Sequence, residues 1–183
     1  MFSPLSELYN GLHRVRGLIG RSAGKEGKMI TAVHHFSFSV TNIERTIEFY
    51  TKVLGVKLQS RGKNRYDTLG TALFGTKWGI DQPHAELEIA VMNIGGTRVE
   101  FIEYKDPKAG PYHRNPSLAG SAHLAFKVDH IEEMRKELEA AGVEFHAPIS
   151  TYMEGGKIEW KWCYFRDPDG IILELVQQSQ SWE

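Results

Sequence analysis

His35-Phe36-Ser37-Phe38-Ser39-Val40 and His123-Leu124-Ala125-Phe126-Lys127-Val128 carry one pattern 88 residues apart: His, apolar, small, Phe, variable, Val. Repeats decide architecture before any other signal does. After each copy comes a capping-box signal, Thr41 to Glu44 and Asp129 to Glu132, which predicts a helix start. Apolar stripes follow at helical spacing, Ile43, Ile47, Tyr50 and Leu54 in the first copy and Ile131, Met134, Leu138 and Ala141 in the second. Glycine ends both, Gly55 and Gly142, where a left-handed C-cap costs least without a side chain. Strands restart at Val56-Lys57-Leu58 and Val143-Glu144-Phe145.

Further on, Gly96-Thr97-Arg98-Val99-Glu100-Phe101-Ile102 matches Gly170-Ile171-Ile172-Leu173-Glu174-Leu175-Val176, now at an offset of 74. The first copy therefore has a longer middle, between about Ser60 and Ile94, read as a long loop or hairpin over a cleft. Each copy reads strand, helix, then two or three strands. The chain is thus an α+β protein with modules at 29–104 and 119–178, and the Pro- and Gly-rich stretch 105–118 links them.

Residues 1–28 differ, with five basic residues against two acidic ones and Leu5, Leu8, Leu12, Val15 and Ile19 at helical spacing. They read as a helical arm that packs on the body or on a partner subunit; a mitochondrial address is the alternative.

The 183 residues suffice for a sizeable core, and 41% hydrophobic with 25% charged residues is an ordinary globular balance. A formal charge of -1 offers no field for nucleic acid or for an anionic bilayer. One cysteine, Cys163, excludes an internal disulfide and a Cys-based zinc site, so a reducing, cytoplasmic home is expected. No stretch approaches the roughly 18 apolar residues of a membrane helix, and a soluble protein is the expectation.

Strand alternation sorts the polar residues. His35 shares a face with Ser37 and Ser39, His123 with Ala125 and Lys127, Glu100 with Arg98 and Ile102, Glu174 with Ile172 and Val176. All four are expected to point away from the helix-packed side. A carboxylate between apolar neighbours needs a charge or a metal to offset desolvation. Taken singly, each reads as an ordinary core or surface residue; fourfold agreement favours two imidazoles and two carboxylates on one ion. That set suits Mn, Fe(II), Co, Ni or Zn, with positions left for water or a bidentate substrate.

These residues, with the run Phe49-Tyr50-Thr51-Lys52-Val53-Leu54-Gly55 and with Tyr164-Phe165-Arg166-Asp167-Pro168-Asp169-Gly170 leading to Glu174, resemble the vicinal oxygen chelate superfamily. Its members include glyoxalase I, methylmalonyl-CoA epimerase, fosfomycin and bleomycin resistance proteins and extradiol dioxygenases, and the likeness covers about residues 30–178. It implies two tandem βαβββ modules in an incomplete barrel around one divalent metal held by His35, Glu100, His123 and Glu174, in a homodimer. The implied activity is a lyase or isomerase acting on a small α-oxygenated carbonyl compound through a metal-stabilised enediolate, with Glu100 or Glu174 as general base.

The resemblance also marks departures. Where glyoxalase I places an Arg and an Asn to hold glutathione, this chain has Ser39 and Tyr104, which speaks against glutathione. His35, His123, Glu174 and Tyr164 fit an Fe(II) extradiol dioxygenase of an aromatic diol, the second reading, although Trp160 and Trp162 stand where such enzymes carry a supporting His. A non-catalytic drug-binding resistance protein is the third. Trp78, Tyr104, Tyr112, Tyr152, Trp160, Trp162 and Tyr164 suggest an aromatic pocket, with Trp78, Tyr104 and Trp162 as substrate contacts; packing of Trp160 and Trp162 on the arm or on a partner is the alternative. His34 is expected to face away. His113, Arg114 and Lys157 read as solvated charges, Cys163 as a buried structural thiol, and Asp167-Pro168-Asp169-Gly170 as hairpin geometry.

Overall fold

A computed structural model describes Ile30 and residues 32–66, 85–106, 108, 110 and 115–179. The arm 1–28, Trp78, Tyr112, His113 and Arg114 lie outside the described residues, as does most of the long middle of the first copy. The chain divides into two compact units, Met1–Val33 and His34–Glu183; the second contains every element below. Among the described residues no helix is long and apolar enough to cross a membrane.

The first copy folds as β1 (Phe36–Val40), α1 (Ile43–Glu48), a π-helical turn (Phe49–Val53), β2 (Lys57–Tyr66), β3 (Ala85–Ile94) and β4 (Thr97–Asp106). The second comprises β5 (His123–Lys127), α2 (Ile131–Ala140), β6 (Ser150–Glu154), β7 (Lys157–Arg166) and β8 (Ile172–Gln178). Two four-stranded sheets result, ordered β1-β4-β3-β2 and β5-β8-β7-β6. In each, the first strand pairs in parallel with the last, Ser37 opposite Glu100 and Ala125 opposite Glu174. The α+β architecture of paired βαβββ modules is therefore present.

Alternation explains how each sheet divides its faces. Val99 and Phe101, fully buried, join Val40, Ile43 and Tyr50 in a core continuous with Ile131, Leu138, Phe165, Leu173 and Leu175 of the second module. The rings of Tyr50 and Phe101 lie 4.3 Å apart, a tilted pair filling the first module's centre. Phe36 departs from the expected greasy face: it is 49% exposed at the start of the outer strand.

The repeat holds down to helix capping, but by a route the local sequence does not show. The N-caps are Asn42 and His130, one residue later than Thr41 and Asp129. The Asn42 side chain accepts from Arg45 N, whereas His130 makes no side-chain cap. The first free helical N–H is instead met from the last strand in both copies. Glu103 Oε2 accepts from Ile43 N at 2.8 Å and Gln177 Oε1 from Ile131 N at 2.9 Å. Burial pushes the Glu103 carboxyl up, but Lys105 and this N–H hold it below its ordinary range overall.

The helices differ by one residue. Tyr50 and Leu138 stand 88 apart, Gly55 and Gly142 only 87. The surplus residue of the first copy falls within the π-helical turn Phe49–Val53, the way a helix absorbs a single insertion without rotating the chain beyond it. Both glycines then adopt positive φ, 68° and 88°. Their exits diverge, since β2 begins at Lys57 while Val143-Glu144-Phe145 forms no strand beyond a single bridge from Phe145 to Phe165. Strand β4 runs to Asp106, two residues into the stretch expected as linker.

Candidate metal-binding half-sites

The four expected ligands fall on corresponding strands, one imidazole and one carboxylate per module. His123 heads β5, and its Nε2 lies 3.0 Å from Glu174 Oε2 on β8. His35 immediately precedes β1, and its Nε2 lies 3.8 Å from Glu100 Oε2 on β4. A nitrogen and an oxygen each about 2.1 Å from one ion stand roughly 3 to 3.5 Å apart, so the His123–Glu174 couple matches adjacent positions on a divalent cation, while the His35–Glu100 couple is wider than that range. Among the described residues no group of three or more His, Cys, Asp and Glu side chains is arranged to hold a metal. The chain thus brings the ligands together two by two, and does not gather the four of the sequence expectation at one point.

The couples are not equivalent. Glu174 is buried, 8% exposed, and lies opposite Tyr164 in the β7–β8 ladder. Burial, the Glu174 charge and a hydrogen bond to Glu174 raise the Tyr164 phenol above its ordinary range, so it stays protonated and steadies the carboxylate. The Tyr164 ring also meets His123 edge-on at 5.8 Å. Opposite Glu100 stands Val91, which offers no such partner. His35 has a different neighbour: its Nδ1 lies 2.8 Å from His34 Nδ1. His34 Nε2 in turn sits 3.4 Å from Arg98, so His34, expected to face away, touches His35 instead.

Trp160 and Trp162 lie half-buried on β7, on the Tyr164 side by alternation. Tyr104 is half-buried near the end of β4, its phenol raised by burial. Cys163 points to the opposite face and is buried; burial pushes its thiol up to about 11, as expected of an inert structural cysteine.

Asp167-Pro168-Asp169-Gly170 does more than turn the chain. Asp167 Oδ1 accepts from Asp169 N and Ile171 N within the turn, and its Oδ2 accepts from the Tyr50 hydroxyl. Asp169 Oδ1 accepts from Thr41 N at 2.9 Å, from the Thr41 hydroxyl, and from Arg45 Nη2 at 2.8 Å. These bonds clamp the second module's turn to the first module's helix start. A groove of about 470 Å³ opens beside this joint, lined by Phe49, Val53, Val143, Phe145 and Pro168 among others. None of the candidate ligands lines it.

Duplicated βαβββ modules, each carrying an imidazole and a carboxylate at corresponding positions, define a class of paired-module α+β proteins. The chain belongs to the Glyoxalase/Bleomycin resistance protein/Dioxygenase superfamily, whose family model matches residues 32–175. It is 30% identical over 147 residues to a 2-epi-5-epi-valiolone epimerase from Actinomyces sp., covering 79% of this chain and 78% of that one. It is 27% identical over 158 residues to the lactoylglutathione lyase of Schizosaccharomyces pombe, 81% of this chain but 48% of the yeast protein, so it spans about half that enzyme's length. Among solved structures, a glyoxalase family protein from Bacillus cereus shares the fold with a TM-score of 0.67 at 21% identity, over 85% of this chain and 99% of that one.

Proposed function

We propose that the chain is a divalent-metal-dependent lyase or isomerase of the glyoxalase type, moving a proton at a carbon beside an oxygenated carbonyl group. The observation that carries this reading is the repetition of one close imidazole–carboxylate couple on corresponding strands, at 3.0 Å and 3.8 Å. His35, Glu100, His123 and Glu174 would hold the ion, which would supply Lewis-acid polarisation to adjacent substrate oxygens. The likeness to an epimerase and to a lactoylglutathione lyase supports a lyase or isomerase over a passive binder.

The two couples sit in separate sheets, and β1 and β5 are outer strands whose residues are largely exposed, Phe36 included. An uncovered edge of this kind favours pairing with another chain. The assembly we propose is a homodimer in which a second copy completes the ligand set. The buried free thiol of Cys163 supports a reducing, cytoplasmic setting.

Proton transfer needs one carboxylate that can let go. Tyr164 and the surrounding burial anchor Glu174, whereas Glu100 is more open, 18% exposed at its side chain, and lies farther from its histidine. Glu100 is therefore assigned as the general base and Glu174 as the fixed ligand. The test is solvent deuterium wash-in at the carbon beside the carbonyl, using α-hydroxy ketones with Mn(II), Co(II), Ni(II) or Zn(II). Exchange should occur and fall by about 10²- to 10⁴-fold in Glu100→Gln; no exchange with any ion would refute the reading.

One observation favours a second reading. The Tyr164 ring against His123, with Glu174 beside it, fits an Fe(II) ring-cleaving dioxygenase of an aromatic diol. Oxygen uptake with catechols under Fe(II) would support it; uptake at the buffer rate would dismiss it.

A further inference from the structure

We infer that Lys127 and Trp162 form an anion-recognition step beside the second couple, so that the substrate carries a negatively charged group at a fixed distance beyond its vicinal oxygens. This rests on the metal-site reading above and names the substrate class for that site. The argument is one of register. Ala125, Glu174 and Tyr164 make one rung across β5, β8 and β7, and the next rung on the same face is Lys127, Val176 and Trp162. Two residues along a strand span ~6.6 Å, which separates the Lys127 rung from the Glu174 rung.

Beyond the Lys127 rung that face is poor in charge, whereas the rung on the other side of Glu174 holds His123, Ile172 and Arg166, whose guanidinium donates to Gly170 O. Trp162 lies opposite Ser150, and the rung beyond it holds Gln178, Trp160 and Tyr152. From the Glu174 rung to the Trp160 rung, Glu174 and Lys127 are the charged side chains, and Lys127 is exposed with no ion pair among the described residues. The other lysine nearby, Lys161, points to the helix side and is held by Glu132 at 2.6 Å. An unpaired lysine on the same rung as half-buried Trp162, with Val176 between them, suits a ligand whose planar or apolar body lies on Trp162 and ends in a carboxylate or phosphate. Ser39 occupies the corresponding position in the first module, so Lys127 has no counterpart there.

The experiment uses two probes in calorimetric titrations of the full chain loaded with Mn(II). Mandelate presents vicinal oxygens and a ring; 4-carboxymandelate adds a carboxylate across the ring, near the required spacing. The added group should tighten binding about tenfold for the natural chain and for Lys127→Arg, and should add nothing for Lys127→Met. Equal affinities for the two probes in the natural chain, or a preference that persists in Lys127→Met, would overturn the inference while leaving the metal site intact. Binding of neither probe, or binding that ignores the metal, would remove the vicinal-oxygen reading and this inference with it.

Discussion

The hydroxyl of Tyr50 donates to Oδ2 of Asp167 at 3.3 Å, a buried contact between the first module's helix and a turn 117 residues later. Tyr50 is fully buried and Asp167 is 5% exposed, so the bond sits where water cannot substitute. Burial raises the Asp167 carboxyl from 3.8 to about 6, with Asp169 adding to the rise, against the opposing pull of its N–H partners and Tyr50.

That carboxyl gives stability a definite pH dependence. Between its unfolded value near 3.8 and its folded value near 6 the native state binds more protons, so this group's contribution is full below pH 4 and is lost as pH rises through 6. Asp167→Asn keeps the acceptor for both turn N–H groups and removes the charge. It should gain about 1 to 3 kcal/mol relative to the natural chain between pH 4 and pH 7, measured by urea unfolding at a series of pH values. A constant difference across that range would contradict the assignment.

Asp169 should matter more than its position in a turn suggests. Its side chain is 4% exposed and satisfies the Thr41 N–H, the Thr41 hydroxyl and Arg45 together. Asp169→Ala leaves these donors unmet and should cost about 2 to 4 kcal/mol, while Arg45→Ala, removing a half-exposed partner, should cost less than about 1 kcal/mol. Similar losses from both would place the contact's strength in the ion pair instead.

The remote caps make a matched pair of predictions. Glu103→Ala and Gln177→Ala should each destabilise by about 1 kcal/mol through the uncapped Ile43 and Ile131 N–H groups. Asp129→Ala reads out the second copy's local capping box instead. Asp129→Ala should be nearly silent in the same unfolding assay, because His130 is the N-cap of α2 and makes no side-chain cap.

These residues also show what a sequence reveals. The duplicated strands are legible because His-x-x-Phe-x-Val and the strands around Glu100 and Glu174 expose the period of two, and Gly55 and Gly142 because a left-handed C-cap favours one residue type. The caps mislead because the acceptors that matter, Glu103 and Gln177, lie 60 and 46 residues away from the N–H groups they meet. The π-helical turn leaves only a slip of one in the repeat offset. Asp167 and Asp169 fit a hairpin by composition, and only tertiary placement shows that they hold the modules together.

The candidate ligands divide the same way. Alternation puts His123, Glu174 and Tyr164 on one face, and the structure shows them in contact. Alternation says nothing about how far one sheet's couple stands from the other's, since no local pattern encodes the packing of modules or of a second chain. Parity alone turns His34 away from His35, yet His34 precedes β1, where strand alternation does not apply, and its ring meets that of His35.

Cys163 offers a further check. A thiol that is buried and pushed up to about 11 should resist modification by a disulfide reagent at pH 8 in the native protein and react at the rate of unfolding. Rapid labelling without denaturant would show the strand to be more open than its burial indicates.

The most direct test is metal content measured together with assembly mass for the natural chain, His35→Ala and His123→Ala. One divalent ion per chain in a dimer is predicted for the natural protein, with loss of most of that metal when either histidine is removed, since neither couple supplies more than two ligands. Full metal retention in His35→Ala, or tight metal binding by a monomer, would contradict a cation shared by His35, Glu100, His123 and Glu174.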